Sequence, residues 1–154
     1  MRDAHSEDPG ATEQRDAEIV RATWAKVAPH RRVAAAVFYA RLFRLAPETR
    51  ALFGPDIENQ GRKLLDTLSF IVAHLDDVEP LRHEAGALAR RHVGYGVTAE
   101  QYDILGESLL WMLEHILGPA FDEATREAWS TACDGLSGMM IAAAHGEGVR
   151  VQYA

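Results

Sequence analysis

A chain of 154 residues and 17.0 kDa, 47% apolar and 25% charged, has the balance of one folded domain rather than of a disordered one. Its 16 cationic and 23 anionic side chains leave a formal charge of −7, which repels phosphate backbones and anionic lipid, so neither nucleic acid nor a membrane surface is an expected partner. No apolar run approaches the roughly 18–20 residues of a membrane helix, the charged start Met1-Arg2-Asp3 is no secretory signal, and the single cysteine, Cys133, cannot form an internal disulfide, all of which fit a cytoplasmic location.

Residues 1–11 are polar, contain Pro9-Gly10 and read as a flexible extension; residues 146–154 read as a short tail. Between them residues 12–145 form one domain, without internal repeat or linker. Val20, Trp24 and Val27 recur at i, i+4 and i+7, the spacing of one helical face, and Pro29 closes that helix. Val33, Ala36, Val37 and Ala40 carry the pattern into a second helix, which Pro47 stops. Leu64, Leu68, Ile71, Val72 and Leu75 stripe a third, and Leu81, Ala85, Leu88, Ala89 and His92 a fourth that Gly94 and Gly96 end. Thr98 to Gln101 matches a capping box. It opens a helix striped by Tyr102, Leu105, Leu109, Met112 and Ile116 that Gly118-Pro119 terminates. Ala128, Ala132, Leu136, Met139 and Ala143 mark the last. No alternating β-branched run bounded by hairpin turns occurs, so the predicted class is all-α.

The chain has no glycine-rich phosphate loop, no H-E-x-x-H motif, no paired-cysteine metal site and no G-x-S-x-G elbow. Cys133 sits at an apolar spacing and reads as a small core hydrophobe. Six of the histidines stand in loops or among charged neighbours. His92 differs: it shares the apolar face of its helix, four residues after Leu88. A histidine so placed is either a hydrogen-bonded core residue or a metal ligand. Zinc needs three or four convergent ligands, and no second histidine or cysteine has the spacing. Haem needs one, because the porphyrin brings four nitrogens of its own.

Four further features suit such a pocket, each of them also compatible with ordinary packing. Tyr39 lies within an apolar helix, as a core tyrosine would. Leu52-Phe53-Gly54-Pro55 places an aromatic in a turn between helices. Gln60 precedes Leu64 by one helical turn, so the two face the same way. Tyr102 follows His92 by ten residues and begins the next stripe.

In order and distance these residues resemble the globin family. Within it the chain is most similar to bacterial single-domain haemoglobins and the haemoglobin domain of flavohaemoglobins, with some likeness to neuroglobin. The matching segments are Phe38-Tyr39-Ala40-Arg41-Leu42-Phe43, Leu52-Phe53, Gln60-Gly61-Arg62-Lys63-Leu64, Leu88-Ala89-Arg90-Arg91-His92, Tyr95-Gly96-Val97, Tyr102 to Leu110, Leu117 to Phe121, and Ala128-Trp129. The resemblance implies helices packed around a haem b, iron protoporphyrin IX. It implies His92 as proximal iron ligand, Phe53 on the porphyrin, Tyr39, Gln60 and Leu64 in the distal gas-binding pocket, and Leu88 and Val97 on the proximal side, with Tyr102 beside the histidine. Charge and register make Lys63 and Arg91 the candidates to pair with haem propionates. Two positions depart from the family's pattern. Gln60 stands where oxygen-storage globins carry histidine, so ligation of the iron by a distal histidine is not expected, and Tyr39 or Lys63 is the alternative ligand of ferric iron. The glutamate of flavohaemoglobins in the last helix falls near Ala144, whose side chain accepts no hydrogen bond, so a strong electron push from the proximal side is not expected.

The function so implied is reversible binding of dioxygen, and of nitric oxide and carbon monoxide, at a five-coordinate haem iron, by a monomer or homodimer. One alternative is nitric oxide dioxygenation, for which a separate electron-donating reductase is required, since 154 residues hold a globin and two short ends. Another is a haem-based sensor of redox state or gas; a haem-free interaction module is disfavoured by His92, Phe53 and Tyr39 occurring together.

Overall fold

The apolar spacing becomes six α-helices joined by short turns in the computed structural model, which describes residues 9–94 and 99–146, with side chains over 12–77, 79–91 and 100–143. They are α1 (Pro9–Val27), α2 (Arg31–Leu45), α3 (Ile57–Ala73), α4 (Val78–Gly94), α5 (Ala99–Leu117) and α6 (Glu123–Gly146), with 3₁₀ turns at Ala28–His30, Pro47–Leu52 and Gly118–Ala120. No strand occurs among the described residues, so the protein is all-α.

α1 begins at Pro9, inside the stretch expected to be a loose extension. Proline suits a first helical turn, where its missing N–H has no intrahelical acceptor anyway. Asp56 caps α3 by accepting the Asn59 N–H at 3.1 Å. Asp122 does the same for α6 through the Thr125 N–H at 2.9 Å, and that bond holds its carboxyl below the usual range. α5 stops where Gly118 takes a φ of +55°, a left-handed turn that costs glycine nothing. It starts at Ala99, as the capping box predicts; Thr98 itself lies outside the described residues.

The main core joins Val20, Trp24 and Val27 of α1 to Phe38 and Leu42 of α2, Leu65 and Val72 of α3, Met112 and Leu113 of α5 and Trp129 of α6. Its polar centre is Thr23, which donates to the Ile19 carbonyl at 2.7 Å and accepts from Trp129 Nε1 at 2.8 Å. Trp24 packs on Trp129 with ring centroids 5.9 Å apart and donates to Ser69 Oγ at 3.1 Å. Both indoles thereby bury their bodies while keeping their one donor satisfied.

The register of α2 differs from the sequence reading. Ala34, Phe38, Tyr39 and Leu42 face inward, while Val33, Ala36 and Ala40 line the solvent side, Val33 being 53% exposed. Apolar residues surround this helix almost completely, so periodicity alone leaves its rotation open; the larger rings settle it by burying more surface. α3 crosses α2 closely at Gly61, where an added Cβ would lie 3.0 Å from the Ala35 Cβ. A smaller cluster, Ala85 and Ala89 of α4 with Tyr102 and Met140, binds α4 to α5 and α6. Met139, expected on the inner face of α6, is half-buried and its neighbour Met140 takes the buried place. Among the described residues α4 packs chiefly on α6, while α2 packs on α5 and α3. That division leaves space between α4 and the α2–α3 pair.

Candidate functional site

The space between these helices is a cavity of about 610 Å³, within the usual range for a small-molecule site. α2 contributes Phe38, Tyr39 and Leu42 to its wall. The 3₁₀ turn and the residue after it add Thr49, Leu52 and Phe53. α3 presents Gln60, Lys63, Leu64 and Thr67, the i, i+3, i+4, i+7 spacing of one helical face, with Asp66 beside them. α4 adds Glu84, Leu88 and Arg91, again one face, and α5 adds Gln101 and Leu105.

The wall is apolar where the rings lie. Tyr39 stands edge-on to Phe53 at 5.2 Å and to Phe38 at 5.3 Å and stacks on Phe43 at 5.7 Å, while Phe53 meets Phe43 at 5.7 Å. These contacts fix the Tyr39 ring between α2 and the Phe53 turn. Its hydroxyl bonds to no described residue, and burial pushes its pKa up to about 12, so it keeps its proton and stays a donor at neutral pH. The Gln60 carboxamide is half-buried and likewise makes no bond to a described residue.

Lys63, Asp66, Glu84 and Arg91 are the charged residues of the wall among those described. Lys63 is exposed and has no carboxylate partner among the described residues. Arg91 lies 3.7 Å from Glu84, seven residues earlier on α4. Gln101 donates to Glu48 at 3.4 Å. A mostly apolar molecule with anionic groups has complementary partners here: rings and leucines for its body, Lys63 and Arg91 for its charges.

Of the residues singled out from the sequence, Tyr39, Phe53, Gln60, Lys63, Leu64, Leu88 and Arg91 line this one cavity. Tyr102 does not. It is 6% exposed and packs with Ala85, Ala89 and Met140, and burial raises its pKa. Ten residues of chain after His92 place it near α4 without saying which side. The backbone of His92 lies in α4, four residues after Leu88. Its side chain lies outside the described residues, as do Val97 and the side chain of Ala144. The sequence reading missed Thr67, Glu84 and Leu105. Thr67 could have been found one turn beyond Lys63 and Leu64, and Glu84 one turn before Leu88.

Comparison with known proteins places this arrangement among relatives. A family model described as Globin matches residues 36–140. The chain is 30% identical to the neuroglobin of Danio rerio, over 77% of this chain and 83% of that protein. It is 30% identical to the neuroglobin of Chaenocephalus aceratus, over 75% and 82%. It is also 30% identical to a flavohemoprotein of Halalkalibacterium halodurans, over 83% of this chain and 32% of that protein, so it spans about a third of that relative's length.

Proposed function

The chain belongs to the globin family, and from that premise we propose that it holds haem b in the cavity between α2, α3 and α4 and binds dioxygen there reversibly, with nitric oxide and carbon monoxide as further ligands. The observation that carries this reading is the convergence of Tyr39, Phe53, Gln60, Leu64 and Leu88 on a single cavity of about 610 Å³ with Lys63 and Arg91 at its wall. The residues present fit the group. Its macrocycle is flat and apolar and its two propionates are anionic, matching the ring-and-leucine wall and the two cations. His92, one turn beyond Leu88 on α4, is the proposed iron ligand, and Tyr102, clustered with Ala85 and Ala89 of α4, is proposed to stand beside it. Val97 is the second proposed contact on that side.

Haem when bound supplies the iron to which a diatomic gas attaches. The protein's part is electrostatic and steric. Tyr39 presents a protonated hydroxyl and Gln60 a carboxamide N–H₂, two donors toward a ligand that takes on negative charge. Phe38, Leu42, Phe53 and Leu105 keep water from that ligand, and in a dry site each bond is stronger than it would be in water. High dioxygen affinity with slow release follows. The test is spectrophotometric titration of the ferrous protein with dioxygen. Saturable, reversible spectral change supports the reading; rapid irreversible oxidation without a stable gas complex would sink it.

The likeness to a flavohemoprotein favours a second reading, nitric oxide dioxygenation, in which a separate reductase in the same cytoplasm supplies the electrons. Steady-state nitric oxide consumption with an added flavin reductase supports it, whereas one stoichiometric burst leaves gas binding alone.

A further inference from the structure

On the other side of Tyr39 lies a second cavity, about 650 Å³, between α2, the Pro47–Leu52 turn and the start of α3. Four arginines line it, Arg31, Arg32, Arg50 and Arg62, against one carboxylate, Glu58. That concentration of positive charge stands out in a chain of net charge −7. Two of the four are neutralised in place, Arg31 by Asp66 and Arg32 by Glu58. The other two are not. Arg62 has no carboxylate partner among the described residues. Arg50 has none either; its guanidinium lies 5.5 Å from the centroid of the Phe43 ring and donates to the Phe53 carbonyl at 3.4 Å. The surplus of two charges therefore comes from different elements and meets over one cavity. The floor between them is apolar, formed by Phe43, Ile57 and the outer side of Tyr39.

Two arginines without acidic partners over an apolar floor make a receptor for an anion with a hydrophobic body. Guanidinium forks match the planar, two-oxygen geometry of carboxylates and phosphates, and the ring beneath Arg50 orients its fork rather than competing for its donors. We propose that this cavity binds a small organic acid, its carboxylate or phosphate on Arg50 and Arg62 and its apolar body on Phe43 and Ile57. The site is separate from the gas-binding cavity and does not depend on it. Among the described residues the two cavities have only Tyr39 in common.

The experiment is calorimetric titration of the full chain at low ionic strength with two probes, benzoate and inorganic phosphate. Benzoate is expected to bind one to one and about tenfold more tightly than phosphate, which has no apolar body to bury. The Arg50→Gln/Arg62→Gln double variant is expected to weaken benzoate by about tenfold or more, the loss of charge-assisted hydrogen bonds. Arg126→Gln, which removes an arginine paired with Glu114 elsewhere on the surface, is expected to change it less than twofold. Added salt is expected to weaken binding, since the arginines are exposed. No saturable binding, equal affinity for the two probes, an unchanged double variant, or an equal loss in Arg126→Gln would each overturn the proposal. Thermal melts of both variants show that the fold is intact.

Discussion

Replacing Tyr39 by phenylalanine takes away one oxygen and keeps the ring. The three ring contacts, to Phe38 at 5.3 Å, Phe53 at 5.2 Å and Phe43 at 5.7 Å, survive the change. The hydroxyl bonds to no described residue, so no hydrogen bond among the described residues is lost. Stability should hold, or rise by about 1 kcal/mol, because a desolvated hydroxyl has been removed. The gas complex fares differently. On the proposed reading it would lose one hydrogen bond to an acceptor carrying negative charge, worth about 1.5–3 kcal/mol. That energy converts to a roughly 10- to 100-fold faster dioxygen dissociation. Stopped-flow displacement of dioxygen by carbon monoxide reads the rate, and urea melts read the stability. A dissociation rate within twofold of the parent would remove Tyr39 from the gas site. A stability loss beyond about 2 kcal/mol would show the hydroxyl to be structural, against the argument from its missing partner.

The same hydroxyl sets a pH dependence. Burial holds Tyr39 at about 12 in the folded protein, while unfolded tyrosine titrates near 10. Between those values the unfolded chain binds fewer protons, so its contribution to stability, complete below pH 10, falls by about 1.4 kcal/mol per unit as pH rises. Urea melts from pH 9 to 11 should show a shallower decline in Tyr39→Phe; parallel slopes contradict the burial argument. Trp129→Phe removes the donor 2.8 Å from buried Thr23 Oγ1 and should cost about 1–3 kcal/mol, with most of that cost absent in a Thr23→Val background. Gly61→Ala gains helix propensity yet puts a Cβ 3.0 Å from that of Ala35; a net loss of about 1 kcal/mol is expected, and Ala35→Gly should restore it. A stabilised Gly61→Ala would show that α2 and α3 yield at this crossing.

What the sequence made legible followed from side-chain size as much as from period. Val20, Trp24 and Val27 are 1%, 5% and 0% exposed, as a single apolar face with polar flanks dictates. Where apolar residues stand side by side the period cannot choose between them. Leu64 was read both into the apolar stripe of α3 and into the pocket; it lines the cavity and is partly buried against the core, while its neighbour Leu65, absent from the expected stripe, is the buried residue. In α2 the rotation was set by Phe38, Tyr39 and Leu42, leaving Val33 outside. Most of the cavity wall was visible because its residues recur one turn apart on α3 and α4. Tyr102 packs with Ala85, Ala89 and Met140, while its α5 neighbours Gln101 and Leu105 line the cavity, a division that sequence distance from His92 does not reveal. The second, arginine-lined cavity went unseen for a related reason. Arg31 and Arg62 come together through the crossing of α2 and α3 at Gly61, and the Pro47–Leu52 turn brings Arg50 to the same cavity.

The account rests above all on haem occupying the first cavity through His92, and stoichiometric titration of the full chain with haemin tests that most directly. One equivalent should produce a red protein with a sharp Soret band, and His92→Ala, shown by circular dichroism to remain helical, should lose or broadly shift that band. A colourless protein that takes up no haemin, or an unaltered band in His92→Ala, would contradict it.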